Sequence, residues 1–183
     1  MKNVTVFCGS HPRGENGEVY RKLAVEMGKL FAENDFTCVN GGTTGLMEDV
    51  SRGTIEADGE VISIALHNKD FPIANKYFTE QELFEELVPR QQRLIELGDV
   101  YLALPGGIGT FYEILEIVSR VGLREIDCKF PVICVGGYFK KFKELIRHID
   151  HEGFAWMDLD ASLLFVESPK DAIVELKRMR DFA

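Results

Sequence analysis

Two side chains in this sequence are placed to do acid-base work: Glu113, which follows a glycine-rich turn, and Arg90, which precedes the strand feeding that turn. The turn is Pro105-Gly106-Gly107-Ile108-Gly109-Thr110. Its glycines let the backbone bend sharply and come within hydrogen-bonding distance of a ligand. Thr110 is expected to cap the helix that follows, whose first N–H groups and positive dipole end would face the turn. Such a turn is suited to a phosphate. Thr110-x-x-Glu113 also has the spacing of a capping box, in which Glu113 would only fold back on the Thr110 N–H. A carboxylate one turn from a bound phosphate suffers like-charge repulsion, which favours a role on a neighbouring part of the ligand. Arg90 is expected at a helix start, where a cation is locally unfavourable unless an anion is near. The alternative for Arg90 is a solvated surface residue.

The elements that position these residues alternate between strand and helix. Val100 to Leu104 is apolar throughout, as expected of a parallel strand covered on both faces. Earlier strands are expected at Val4 to Cys8, Phe36 to Val39 and Val61 to Leu66, with helices from about Glu15 to Glu33 and from Gly45 to about Asp58. Glu82 to Val88 reads as a short strand or a helix end, and Pro89 starts the helix carrying Arg90. A helix from Thr110 to about Arg124 follows the turn. Pro131 to Val135, a helix from Phe139 to Glu152, Leu163 to Val166 and a last helix from Pro169 complete the pattern. Strictly alternating elements predict an α/β, Rossmann-like, doubly wound parallel sheet with helices on both faces, in a single domain spanning 1–183. His67 to Tyr77 is polar and irregular, a surface loop able to cover a pocket.

Composition narrows the function. The formal charge of −9 disfavours a nucleic-acid polymer as partner, although a local pocket can still hold a small anion. No apolar run has the roughly 18 residues of a membrane span, and the N-terminal residues lack a leader pattern, so a cytoplasmic protein is expected. Cys8, Cys38, Cys128 and Cys134 lie in or beside apolar runs without C-x-x-C spacing and read as reduced core residues. His11, His67, His148 and His151 form no metal-ligand pattern. Gly9-Ser10-His11-Pro12-Arg13-Gly14 keeps only the outer two glycines of a dinucleotide fingerprint, and no Walker sequence is present.

The motifs resemble those of the Lonely guy (LOG) family, cytokinin-activating phosphoribohydrolases often mislabelled as lysine decarboxylases. Pro105 to Glu113 fits the family's PGGxGTxxE motif, Phe7-Cys8-Gly9-Ser10 its first strand and turn, Gly41 to Met47 its GGxxGLM segment, and Gly136-Gly137-Tyr138-Phe139 a later turn. The resemblance implies a homodimer or a multiple of it, no cofactor, and hydrolysis of the N-glycosidic bond of a purine nucleoside 5′-monophosphate to free base and ribose 5-phosphate. It makes Arg90 and Glu113 the catalytic pair. Gly107, Gly109 and Thr110 would hold the phosphate, with Gly9, Ser10, Gly42, Gln91, Gly106 and Ile108 around the nucleotide. Ser119 stands where the family has a nucleotide-contacting threonine. The family's MHxRK stretch is replaced by Leu87-Val88-Pro89-Arg90-Gln91, and Arg120-Val121-Gly122 replaces a tryptophan, alanine and glutamine. The base therefore stays open between an N6-prenylated adenine, plain adenine and another purine. A nucleotide-binding or carrier protein with the same phosphate turn but little turnover is the alternative. A decarboxylase would need a lysine for pyridoxal phosphate.

Overall fold

In the computed structural model, residues 2–67, 75–126, 130–155 and 157–182 are described. Seven parallel strands form one sheet in the order β4-β3-β2-β1-β5-β6-β7. These are β1 (Asn3–Phe7), β2 (Thr37–Asn40), β3 (Val61–Leu66), β4 (Glu80–Phe84), β5 (Val100–Ala103), β6 (Val132–Val135) and β7 (Leu163–Val166). The connecting helices are α1 (Gly17–Glu33), α2 (Leu46–Ile55), α3 (Leu87–Leu97), α4 (Ile108–Gly122), α5 (Lys140–His151), α6 (Leu159–Ser162) and α7 (Pro169–Asp181). The expected Rossmann-like α/β sheet is the fold observed.

The period-two pattern of the strands divides the core between two faces. Along β1, Val4 and Val6, followed by Cys8, pack with α1, α2 and α7, whereas Phe7 packs with α4 and α5. β5 is buried on both sides for the same reason. Val100, Leu102 and Leu104 face one layer; Tyr101 and Ala103 face the other. Cys8, Cys38 and Cys134 are buried thiols, as expected of core cysteines, and Cys128 lies outside the described residues. None of the described helices is long and apolar enough to cross a membrane.

Strand order decides where a ligand can enter. From β1 the chain moves outward through β2 and β3 to β4, then returns to the other side of β1 as β5. The carboxyl ends of β1 and β5 therefore open a crevice at the point where the winding reverses, the usual ligand position in such sheets. Gly9 and Pro105 close its floor, joined by a Gly9 N–H to Pro105 carbonyl bond of 3.0 Å.

The boundaries that bear on the site differ from the sequence expectation at β4, α3 and α4. The ambiguous stretch before Pro89 is β4 at Glu80–Phe84, an edge strand whose register pairs Ile62 with Glu80 and Leu66 with Phe84. α3 begins at Leu87, so Pro89 lies within its first turn, where its missing N–H costs nothing. α4 begins at Ile108, two residues before Thr110. Most of the expected His67 to Tyr77 loop, residues 68–74, lies outside the described residues.

Candidate active site

The glycine turn is built by backbone packing as much as by flexibility. Gly107, extended at φ −93 and ψ −158, is the N-cap of α4, and no side chain caps the helix. Thr110 is thus the third helical residue and not the cap. Its hydroxyl lies beneath Gly106, where a Cβ would come within 2.0 Å of Thr110 Oγ1. The capping-box alternative falls with this shift, because Glu113 is well inside the helix and its side chain projects elsewhere.

Glu113 projects into a cleft of about 620 Å³ at the switch point, whose lining includes Gly9, Ser10, Arg90, Gln91, Gly107, Gly109 and Thr110. Arg90 is 7 % exposed, far from a solvated surface arginine. Its Nε donates to the Ile64 carbonyl at 2.9 Å. Its Nη2 occupies the space above Gly41, where a Cβ would lie 1.8 Å away. This anchoring leaves Nη1 at 4.0 Å from Glu113 Oε1, close enough for attraction but beyond hydrogen-bond length. The carboxylate keeps lone pairs available to a ligand or a water.

The remaining assigned residues divide plainly. Gly106 lines an adjoining lobe and not the main cleft. Gly42 is buried below the surface in a left-handed turn at φ +65, its N–H donating to Asn40 Oδ1 at 2.9 Å. It shapes the floor without lining the cleft. Ile108 is 87 % exposed, and Ser119 is exposed on the outer side of α4. The structure brings neither into the cleft of its own chain, because the helix carries those positions round and along its axis away from Glu113. Gln91 is 2 % exposed, with neither amide atom hydrogen-bonded to any described residue. Sequence reasoning did not assign a role to Gly41, whose signal was the GGxxGLM segment, nor to Tyr112, Thr43, Thr44, Met47 and His11, which also line the cleft. Tyr138, from the later glycine-tyrosine turn, donates its hydroxyl to the Gly106 carbonyl and braces the turn from behind.

A family model described as possible lysine decarboxylase matches residues 47–176. The cytokinin riboside 5′-monophosphate phosphoribohydrolase of Rhodococcoides fascians is 32 % identical over 84 % of this chain and 78 % of its own. The chain belongs to the LOG family. LOG1 of Arabidopsis thaliana, of the same name, is 27 % identical over 97 % of this chain and 83 % of its own. In fold, the chain is similar to the molybdenum cofactor carrier protein of Chlamydomonas reinhardtii, with a TM-score of 0.73 at 16 % identity over 98 % of both chains.

The donor set of this LOG-family cleft does not suit the decarboxylase label. None of its described lining residues is a lysine that could form a Schiff base. Among the described residues no cluster of His, Cys, Asp and Glu is able to hold a metal ion. What the cleft offers is a carboxyl group tuned by burial. Desolvation pushes the Glu113 pKa up to about 7, with Arg90 opposing the shift and Glu116 adding to it. A base with that pKa is half ionised near neutrality, where general catalysis is most effective. kcat/KM for a nucleotide substrate is therefore expected to rise with pH through a single ionisation near 7 and to level off above it. A profile flat from pH 5 to 9 would remove Glu113 as the base.

Proposed function

We propose that this protein hydrolyses the N-glycosidic bond of a purine nucleoside 5′-monophosphate of the cytokinin type, releasing free base and ribose 5-phosphate. The observation that carries the reading is a buried carboxyl group, Glu113, facing an anchored Arg90 across 4.0 Å in a cleft floored by glycine turns. The names of the relatives support the same reaction. The phosphate sits on the N–H groups of Gly107 and Gly109 at the start of α4, with Thr110 and Ser10 beside it. Held there, it contributes binding energy remote from the reacting bond and fixes the ribose over the carboxylate. As the bond breaks, positive charge grows on the ribose ring; the Glu113 carboxylate stabilises it and takes a proton from the attacking water. Arg90 offers a fixed charge to the substrate's anionic groups. The departing base takes up a proton, so one water is consumed.

The active form we propose is a cytoplasmic homodimer or a multiple of it. Ile108, Tyr112 and Leu115 form an exposed apolar stripe along α4, beside exposed Leu87 and Val88 of α3. Leu87 and Tyr112 also line the cleft. A second copy docked on this stripe would cover the cleft mouth and bring Ser119 and Ile108 near bound nucleotide. Buried thiols at Cys8, Cys38 and Cys134 suit a reducing compartment.

The test is incubation of the purified protein with AMP and with isopentenyladenosine 5′-monophosphate, following free base by chromatography. Base release from either establishes the reaction, and their relative rates rank the bases. Binding without release would instead support a carrier that keeps the phosphate turn.

A further inference from the structure

The glycine turn has a second side that the hydrolytic reaction leaves unused. A separate lobe of about 320 Å³ lies there, walled by Pro12, Gly14, Tyr20, Leu46 and Tyr138. Gly9, Ser10, His11 and Gly107 line both this lobe and the catalytic cleft, so the two meet at the turn. Glu113 and Arg90 line only the cleft. A monophosphate seated at the turn ends there and leaves the lobe empty, although its volume is within the range of small-molecule sites.

The chemistry of the walls points to the kind of group that fills it. Three helices start at this lobe. Tyr20 is in the first turn of α1, Leu46 is the first residue of α2 and Gly107 is the N-cap of α4; none of the three has a side-chain cap. Their positive ends surround the shared turn and favour phosphate charge there. Farther in, the lobe is aromatic, with no lysine or arginine among its described lining residues. Tyr138 is fixed by its bond to the Gly106 carbonyl, by Phe111 stacked at 6.2 Å and by Tyr20 edge-on at 5.6 Å. Gly14, an exposed residue of the lining, carries no side chain, and a Cβ there would meet no atom within 4 Å. Tyrosine faces and a bare glycine suit a planar uncharged ring. Pro12 and Gly14, which line this lobe and not the catalytic cleft, continue the chain from the shared residues Gly9 to His11.

We propose that the lobe takes a planar ring carried on the 5′-phosphate, so that the protein binds dinucleoside diphosphates. The diphosphate lies at the shared turn, with one nucleoside in each lobe. This inference rests on the monophosphate reading of the main cleft.

Calorimetric titration of the purified protein with AMP, ADP and P1,P2-di(adenosine-5′) diphosphate tests it, on the unaltered chain and on Gly14→Leu and Tyr20→Ala. The dinucleotide is expected to bind about tenfold or more tightly than AMP. Gly14→Leu, which adds a bulky side chain to the lobe's lining, and Tyr20→Ala, which removes one wall, are each expected to abolish most of that advantage while AMP affinity stays within about twofold. Dinucleotide binding no tighter than AMP would overturn the proposal. So would ADP binding as tightly as the dinucleotide, or an advantage that survives both substitutions. With AMP binding and base release intact, any of these results defeats the second lobe alone; failure of the unaltered chain to bind either AMP or isopentenyladenosine 5′-monophosphate defeats both readings.

Discussion

Glu113→Gln is expected to lower kcat by roughly 10²- to 10⁴-fold, the usual contribution of a positioned acid-base group, with the Kd for AMP changed by no more than about twofold. Glutamine keeps the shape of the side chain but removes the negative charge that stabilises the developing ribose cation and the basicity that activates water. The backbone N–H groups proposed to hold the phosphate are untouched by the change. Near-normal turnover in the variant would exclude the assigned role, and a loss confined to KM would make Glu113 a binding residue.

The same substitution carries a stability signature that shows the variant is folded. Glu113 titrates at about 7 in the folded protein against an ordinary value of 4.5, because burial disfavours its charge. Between those values the folded state holds a proton that the unfolded state has released, so stability falls as pH rises through this window. Below about 4.5 the group contributes no penalty, and above about 7 the penalty is complete, on the order of 3 kcal/mol for a shift of this size. Glu113→Gln is therefore expected to unfold at higher urea than the unaltered chain at pH 8, with the difference vanishing near pH 4. An equal shift at both values would show that the charge has no such effect.

Gly28→Ala is expected to cost about 3 kcal/mol or more of folding stability, as overpacking against a rigid backbone does, and to lower Tm by roughly 10 °C for a domain of this size. In the interior of an exposed helix the same change would stabilise by up to about 1 kcal/mol. Here α1 and α2 cross almost backbone to backbone. A Cβ on Gly28 would lie 2.1 Å from the Val50 carbonyl oxygen, and one on Gly53 would lie 2.2 Å from the Val25 carbonyl oxygen. Each glycine faces the other helix's main chain, which has no rotamer with which to yield. The crossing also holds α2 behind the turn at Gly41 to Gly45, so a substantial loss of Arg90 anchoring is expected with it. Thermal and urea unfolding measure the first effect. A variant as stable as the unaltered chain would show that the helices can separate at little cost.

The contrast between these residues shows how far sequence reasoning reaches. β1, β3, β5 and β6 were legible because strands buried on both faces must be apolar almost throughout, as Val100 to Ala103 and Val132 to Val135 are, and β7, although an edge strand, kept an unbroken apolar run from Leu163 to Val166. β4 was ambiguous because it is an edge strand, with Glu80, Gln81 and Glu82 facing water or polar neighbours and little apolar pattern to read. The start of α4 was misplaced for a local reason. Thr110 has the side chain of a cap, but Gly107 takes the extended conformation that begins the helix, and the threonine hydroxyl is needed beneath Gly106.

Sequence alone determined the alternating β/α order, the glycine turn and the two residue types, carboxylate and guanidinium, that face one another. These are properties of local pattern and of chemistry written into single side chains. Tertiary structure decided that the two groups stand 4.0 Å apart, that Arg90 is held by the Ile64 carbonyl over Gly41, and that Gly42, Ile108 and Ser119 lie outside the cleft of their own chain. It also decided that Gly28 and Gly53 are packing glycines and that the Gly9 to Gly14 segment encloses a second lobe. Each of these depends on which residues distant in sequence share a surface, and on how much water their meeting excludes.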